Sequence, residues 1–118
     1  MRTKAEVMQG LARVPRRTIV IQHKVITKDQ YGDVTEVWEA WRTLRAERSN
    51  LWGRDYYAAL AVGEEQAIEF TVRYVSFLDE LKTDTHRILY EGETYDIKHI
   101  DHLRDDGAWI KLKAMRRG

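Results

Sequence analysis

The chain has 118 residues, a formal net charge of +1 and no cysteine. This length suffices for one hydrophobic core and is too short for two. The lack of cysteine excludes disulfides, cysteine-ligated zinc and a cysteine nucleophile, and no apolar run reaches the length of a membrane span.

The N-terminal residues 1–15 are expected to form either a weakly ordered arm or a short helix limited by Gly10 and Pro15. The basic start of this arm lacks the apolar core of a signal peptide, so no membrane targeting is expected. Residues 16–118 are expected to form a single domain.

The first two strands are predicted to form a hairpin. Thr18–Ile26 alternates apolar and polar residues, a period of two that places one face in a core. Asp29–Asp33 has turn chemistry, with Gly32 supplying a positive φ, and Val34–Trp38 returns as the second strand.

A third strand is predicted over Arg42–Arg48. A bend or bulge between Trp38 and Trp41 would let both indole rings cover the end of a barrel.

The strongest helical pattern is Ser49–Gln66. Ser49 or Asn50 is the predicted N-cap and Gly63 the predicted stop, and one face carries Tyr56, Ala59, Leu60 and Gly63. This helix is either a lid on a barrel or a projecting contact arm, and the residue types leave both readings open.

The rest of the chain is predicted to be strands and tight turns. Leu78 and Leu81 in the connection Phe77–Thr85 are expected to pack back onto the core. The further strands are Ile68–Tyr74, Arg87–Tyr90, Thr94–Ile100 and Ala108–Met115. Six or seven short strands predict a mainly β fold, a small antiparallel β-barrel with one short helix inserted between strands three and four.

No catalytic, cofactor-binding or metal-binding residue is predicted. His99 and His102, with Asp96 and Asp101 nearby, could bind zinc in principle. Their spacing matches no metal motif, and surface residues flanking a turn are the better interpretation. The sequence has no nucleophile elbow and no phosphate-binding glycine loop, so we expect a protein that is not an enzyme.

Two kinds of binding remain open. Nucleic acid is one, because small barrels bind single strands with aromatic and basic side chains, here Trp38, Trp41, Trp52, Tyr56, Tyr57, Trp109, Arg42, Arg45, Arg48 and Arg54. The other is protein–protein contact, because interfaces enrich the residue types found in 51–57. Basic residues near both chain ends would form one patch if the ends are neighbours in the fold.

An ordered set of short motifs gives the chain a family resemblance. The motifs are Arg17–Gln22, the set Asp29, Tyr31, Gly32 and Trp38, then Gly53–Ala59, Phe70–Tyr74 and Arg87–Ile97. In this order and spacing the chain resembles the head–tail joining, or head-closure, proteins of tailed bacteriophages and prophages. The N-terminal arm, and the lack of a Pro-Gly turn within 75–85, depart from that pattern.

The resemblance implies a structural component of the virion, assembled in the host cytoplasm. Such proteins form a homo-oligomeric ring, usually twelve-fold, below the portal and its adaptor. They retain packaged DNA, which passes the channel without sequence-specific binding, and offer a docking surface to the tail proteins. The isolated chain is expected to be monomeric. A neighbouring tail-completion component is an alternative within the same setting.

In some relatives the connection that corresponds to Ser49–Gln66 acts as a channel stopper. The resemblance therefore favours a presented arm over an internal lid. The residues expected to meet a neighbouring subunit or line the channel are Trp52, Arg54, Asp55, Tyr56, Tyr57, Glu64 and Glu65.

Overall fold

Six antiparallel strands close into a barrel in the computed structural model, which describes residues 15–51, 53–63, 66–102 and 108–117. The order around the barrel is β1-β2-β3-β6-β5-β4. The strands are β1 (Arg17–Lys28), β2 (Val34–Asn50), β3 (Ile68–Arg73), β4 (His86–Tyr90), β5 (Glu93–His102) and β6 (Trp109–Arg116). One α-helix, α1 (Gly53–Ala61), and one 3-10 helix, Ser76–Glu80, complete the described fold. The predicted small antiparallel β-barrel is confirmed.

Alternating residues of every strand fill the barrel. Ile19 and Ile21 of β1 are fully buried, as are Leu112 and Ala114 of β6. Phe70 lies among two tyrosine rings at centroid distances of 5.2 and 5.8 Å. Because closure pairs every strand with two neighbours, the barrel wall itself presents no open edge.

The predicted second and third strands are one strand, β2, of 17 residues. Its pairing with β1 shifts register between Ile21, which opposes Arg42, and Gln22, which opposes Ala40. Trp41 is therefore the extra residue of a β-bulge, as the sequence predicted. The merging places α1 between the second and third strands rather than after a third one.

The helix is shorter than the predicted Ser49–Gln66. Ser49 and Asn50 belong to β2, opposite Glu69 and Ile68 of β3, so the predicted N-cap is wrong. The reason is that pairing with β3 uses the backbone that would otherwise begin a helix. Gly63 has a φ of +76°, which confirms the predicted left-handed stop.

The connection after β3 closes one end of the barrel. Leu78 and Leu81 are buried, as predicted, and the 3-10 helix holds Leu78 there. Tyr74, predicted as strand, lies beyond β3 and donates its hydroxyl to Asp79 at 2.8 Å.

Residues 1–14 of the predicted N-terminal arm, Trp52, Glu64, Glu65 and the turn at 105–107 lie outside the described residues. The division into an arm, 1–15, and a domain, 16–118, stays a prediction. Within the described part of the chain, no helix is long and apolar enough to cross a membrane.

Candidate subunit interface

The antiparallel order gives the barrel two distinct ends. The "α1 end" is where β2 leads into α1, and it also holds the start of β1 and the end of β6. The "hairpin end" is where β1 turns into β2, beside the 3-10 helix. A two-stranded hairpin projects from the barrel at the hairpin end, and α1 packs beside the barrel at the α1 end.

At the hairpin end, β1 and β2 run on beyond the barrel. β1 pairs with β4 only over 20–23, and β2 pairs with β3 only over 46–50. The parts beyond the barrel, 24–28 and 34–40, pair only with each other among the described strands. We call this two-stranded projection the ribbon. Ile26, Val34 and Val37 of the ribbon are exposed, an apolar surface that a solvated hairpin does not need.

The loop at the end of the ribbon, Asp29–Asp33, is held in one shape by its own hydrogen bonds. Oδ1 of Asp29 accepts the backbone N–H groups of Tyr31 and Asp33, at 2.8 and 2.9 Å. Gly32 has the predicted positive φ, +82°, which lets the chain reverse without strain. This tip loop presents Tyr31 with 81% of its surface exposed.

The base of the ribbon is packed by aromatic rings. Trp41 lies edge-on to His86, at 4.6 Å between centroids, and to Phe77, at 5.6 Å. His86 is buried, and its Nδ1 accepts the backbone N–H of Lys82 at 3.2 Å. Burial and the nearby His23 lower the pKa of His86 below its usual value. The neutral imidazole of His86 is thus buried where the ribbon meets the barrel.

At the α1 end, the helix packs against the barrel through one narrow side. Ala59 is buried there with Leu51 and Ala67, and Met115 on the outer face of β6 lies against them. Tyr56 and Leu60, predicted to share one face with Ala59, are both exposed. The helix therefore rests on the outside of the barrel and does not fill its interior.

The other side of α1 carries part of the predicted contact set. Arg54 is exposed, and Tyr57 exposes 70% of its surface. Its ring meets that of Tyr56 edge-on at 5.7 Å. Asp55 belongs to α1, but its side chain lies outside the described part of the structure, as do the residues Trp52, Glu64 and Glu65. The contact role of all seven residues stays a prediction.

A cleft of about 670 Å³ opens at the α1 end, between α1 and the barrel rim. We call it the mouth cleft. Its apolar lining includes Ile68, Ala67 and Met115, and Arg48 and Arg116 stand at its edge. Both arginines are exposed.

Positive charge gathers around the mouth cleft. Burial raises the pKa of the nearby Tyr90, and the charges of Arg17 and Arg48 oppose that rise. Arg17 and Arg116 are the first residue of β1 and the last of β6. Arg17 and Arg116 therefore lie at the same end of the barrel, and the basic patch formed by the two chain ends stays a prediction.

A second cleft, of about 330 Å³, runs between α1 and the outer face of the sheet. Glu69 and Lys111 form an ion pair of 3.6 Å in it, and His99 and Asp101 line its far side. Among the described residues, no group of three or more histidines and carboxylates could hold a metal ion. His99 and His102 are exposed, which agrees with the interpretation as surface residues.

Three of the candidate base-stacking aromatics, Trp38, Trp41 and Trp109, have cations of their own chain over their rings. Arg87 lies 4.5 Å from the centroid of Trp38 and donates its Nε–H to Gln22 at 2.7 Å. The other pairs are Lys24 with Trp38, Arg42 with Trp41 and Arg73 with Trp109. These rings are engaged within the chain, which weakens the interpretation of a ready base-stacking platform.

Sequence reasoning missed the ribbon and its tip. The alternation in Thr18–Ile26 predicts that one face of this strand lies in the core, but residues 24–28 extend beyond the barrel. The available signal is the apolar type of Ile26, which falls on the polar side of that alternation. An exposed aromatic at a hairpin tip, Tyr31, was a second signal.

Comparisons with known proteins bear on the fold and on the family of the chain. No curated protein matches the sequence. Protein SF1141 from Shigella flexneri 2a, solved in solution, has a similar fold: TM-score 0.70, 20% identity, covering 90% of this chain and 95% of that chain. A chain of the virion of a native gene transfer agent particle aligns with a TM-score of 0.55 and 17% identity, over 86% of this chain and 94% of its own.

At these identities the two structures support the fold alone. The family model described as phage head completion protein, in contrast, matches residues 12–117, nearly the whole chain. The chain therefore belongs to the phage head completion protein family and is a structural component of the virion.

Proposed function

We propose that this protein closes the phage head as a subunit of a ring below the portal and its adaptor. In that position the ring retains packaged DNA and offers the tail its docking surface. The observation that carries the proposal is membership of the head completion family over residues 12–117. The family resemblance implies a ring of twelve copies.

The shape of the molecule is consistent with a ring subunit. Where the barrel strands pair on both sides they leave no edge for a neighbouring copy, so we assign the contacts between copies to the ribbon and α1. Exposed apolar residues are found on both elements, Tyr57 and Val62 at α1 and Ile26 and Val34 on the ribbon. Contacts between unlike surfaces close into a ring when the rotation between copies is right.

The charge of the molecule suits a channel through which DNA passes. A net charge of +1 gives no strong field that would hold DNA throughout the ring. We assign α1 to a subunit contact or to the channel mouth, with Arg54, Tyr56 and Tyr57 as its contact residues. Glu64 and Glu65, just past α1, would form a lumen edge that repels DNA.

Electron microscopy of this chain mixed with its portal and adaptor tests the proposal. The expected result is an extra ring below the adaptor. Tyr57→Ser should weaken ring formation, whereas Val75→Ser, a matched exposed change at the hairpin end, should leave it intact. The absence of any ring, or a ring in the tail tube instead, would refute the proposal.

Nucleic-acid binding is the competing function and has a direct test. A gel shift on single- and double-stranded DNA should show only weak binding that disappears at physiological salt. Micromolar binding that persists at that salt and is lost in Tyr57→Ala would favour the competing function.

A further inference from the structure

We propose that the tip loop of one copy docks into the mouth cleft of a second copy of this chain. Tyr31 enters the apolar part of the cleft, and the carboxylates of Asp29 and Asp33 meet Arg48 and Arg116. The inference rests on the proposed ring, for which it names the contact between neighbouring subunits.

The two surfaces match in chemistry. The tip loop places an exposed aromatic ring between two aspartates. The mouth cleft joins the apolar side chains of Ile68, Ala67 and Met115 to two exposed arginines. Its volume, about 670 Å³, lies in the range of about 300–1,000 Å³ that is typical of ligand pockets. Tyrosine and arginine are both enriched among the residues that contribute most of the binding energy at protein interfaces.

The tip loop is prepared for docking before it meets a partner. The two hydrogen bonds to Asp29 Oδ1 and the positive φ of Gly32 hold Tyr31 in its exposed position. A loop that is already ordered loses little conformational entropy on binding. Both hydrogen bonds within the described turn use Oδ1 of Asp29. Its second carboxylate oxygen can therefore accept from an arginine guanidinium of the neighbouring copy.

The geometry excludes docking within one chain. The tip loop precedes the first residue of β2, and the mouth cleft includes Arg48 and Asn50 at its other end. A strand of 17 residues spans about 55 Å at roughly 3.3 Å per residue. Each copy therefore carries both halves of the contact at opposite ends, which is the arrangement of a head-to-tail assembly.

Cysteine cross-linking tests the contact cleanly, because the natural chain has no cysteine. Gln30→Cys marks the tip loop while keeping Tyr31, and Gln66→Cys marks the rim of the cleft. The double variant, treated with a short bis-maleimide, should give a ladder of covalent oligomers. Each single variant should stop at dimers.

The same reaction is run on the isolated chain at about millimolar concentration and on connectors assembled on the portal. A ladder from the assembled connectors supports the docking, and no ladder beyond the single-variant controls in either preparation overturns it. If connectors form but give no cross-link, the docking is refuted and the proposed function stands. If the chain gives a ladder but forms no ring at the portal, the docking stands and the proposed function is refuted.

Charge exchange provides an independent readout. Asp33→Arg or Arg116→Glu alone should lower the ladder yield about tenfold, because like charges then face each other. Mixing the two variants should restore the heterotypic cross-link. Asp84→Arg, an equal charge change in an exposed loop away from the tip, is the matched control and should change nothing. The assigned contact is contradicted if Asp84→Arg lowers the ladder yield equally, or if mixing the two variants does not restore the cross-link.

Discussion

The core of the barrel should be most sensitive at Phe70. Its side chain is fully buried, and its ring meets those of Tyr90 and Tyr95 at 5.2 and 5.8 Å. Replacing a buried phenylalanine with alanine removes its transfer free energy and leaves a cavity, at a cost of about 3–5 kcal/mol. The two aromatic contacts, worth about 0.5–1.5 kcal/mol each, are part of that loss.

Phe70→Ala should therefore remove a large share of a total stability of about 5–15 kcal/mol. For 118 residues, an unfolding entropy of about 2.1 cal/mol/K per residue gives a fall in Tm of about 12–20 °C. Urea unfolding followed by circular dichroism measures the loss as a lower midpoint at an unchanged m-value.

Two variants control the measurement. Phe70→Leu keeps most of the volume and should cost less than about 1.5 kcal/mol. Tyr57→Ala, at an exposed position, should stay within about 0.5 kcal/mol of the natural chain. A loss below about 1 kcal/mol in Phe70→Ala would mean that the barrel does not close around this ring.

Three other predictions follow from local contacts. The pKa of His86 is lowered in the fold, so the unfolded chain takes up the proton first as the pH falls. The free energy of unfolding should therefore decrease as the pH drops below about 6.5. Urea unfolding between pH 5 and 8 measures this decrease, which should be smaller in His86→Phe. Gly63→Ala places a β-carbon at a φ of +76° and should cost about 1–2 kcal/mol in the same assay, with a smaller cost for Gly63→Asn. Arg87→Met loses the hydrogen bond to Gln22 and the cation–π contact with Trp38; thermal unfolding should show a loss of about 1–2 kcal/mol, and no loss would mean that this contact is not formed in solution.

The sequence predicted those parts of the fold that depend on local pattern. Residues 68–73 alternate strictly, and β3 occupies them. Turn chemistry at Gly32 and Gly63 was also sufficient, since a positive φ at these positions depends on the residue itself. The antiparallel barrel followed from counting such strands and turns.

The errors arose where pairing partners decide the outcome. The bulge at Trp41 shifts the phase of alternation, so one continuous strand read as two. Ser49 and Asn50 are good helix caps by type, but pairing with β3 keeps them in β2. No local pattern reveals such a choice, because it depends on residues some twenty positions away.

The candidate contact residues show the same division. The sequence identified Tyr56 and Tyr57 as candidate contact residues because interfaces enrich tyrosine, tryptophan and arginine, and both are exposed. It did not identify the mouth cleft, because Arg48, Ile68 and Arg116 come together only when the barrel closes. Complementary surfaces at opposite ends of one strand are a property of topology, which alternation alone does not reveal.

The bulge links these observations to assembly. If the tip loop of each copy docks in the mouth cleft of the next, the angle between ribbon and barrel sets the rotation between neighbours. That angle is fixed where Trp41 bulges from β2 and packs against His86 and Phe77. A head-to-tail contact closes into a ring only when the rotation between copies divides a full turn, and it otherwise grows into an open filament. The aromatic joint at the base of the ribbon, rather than the docking surfaces themselves, would then determine the number of subunits in the ring.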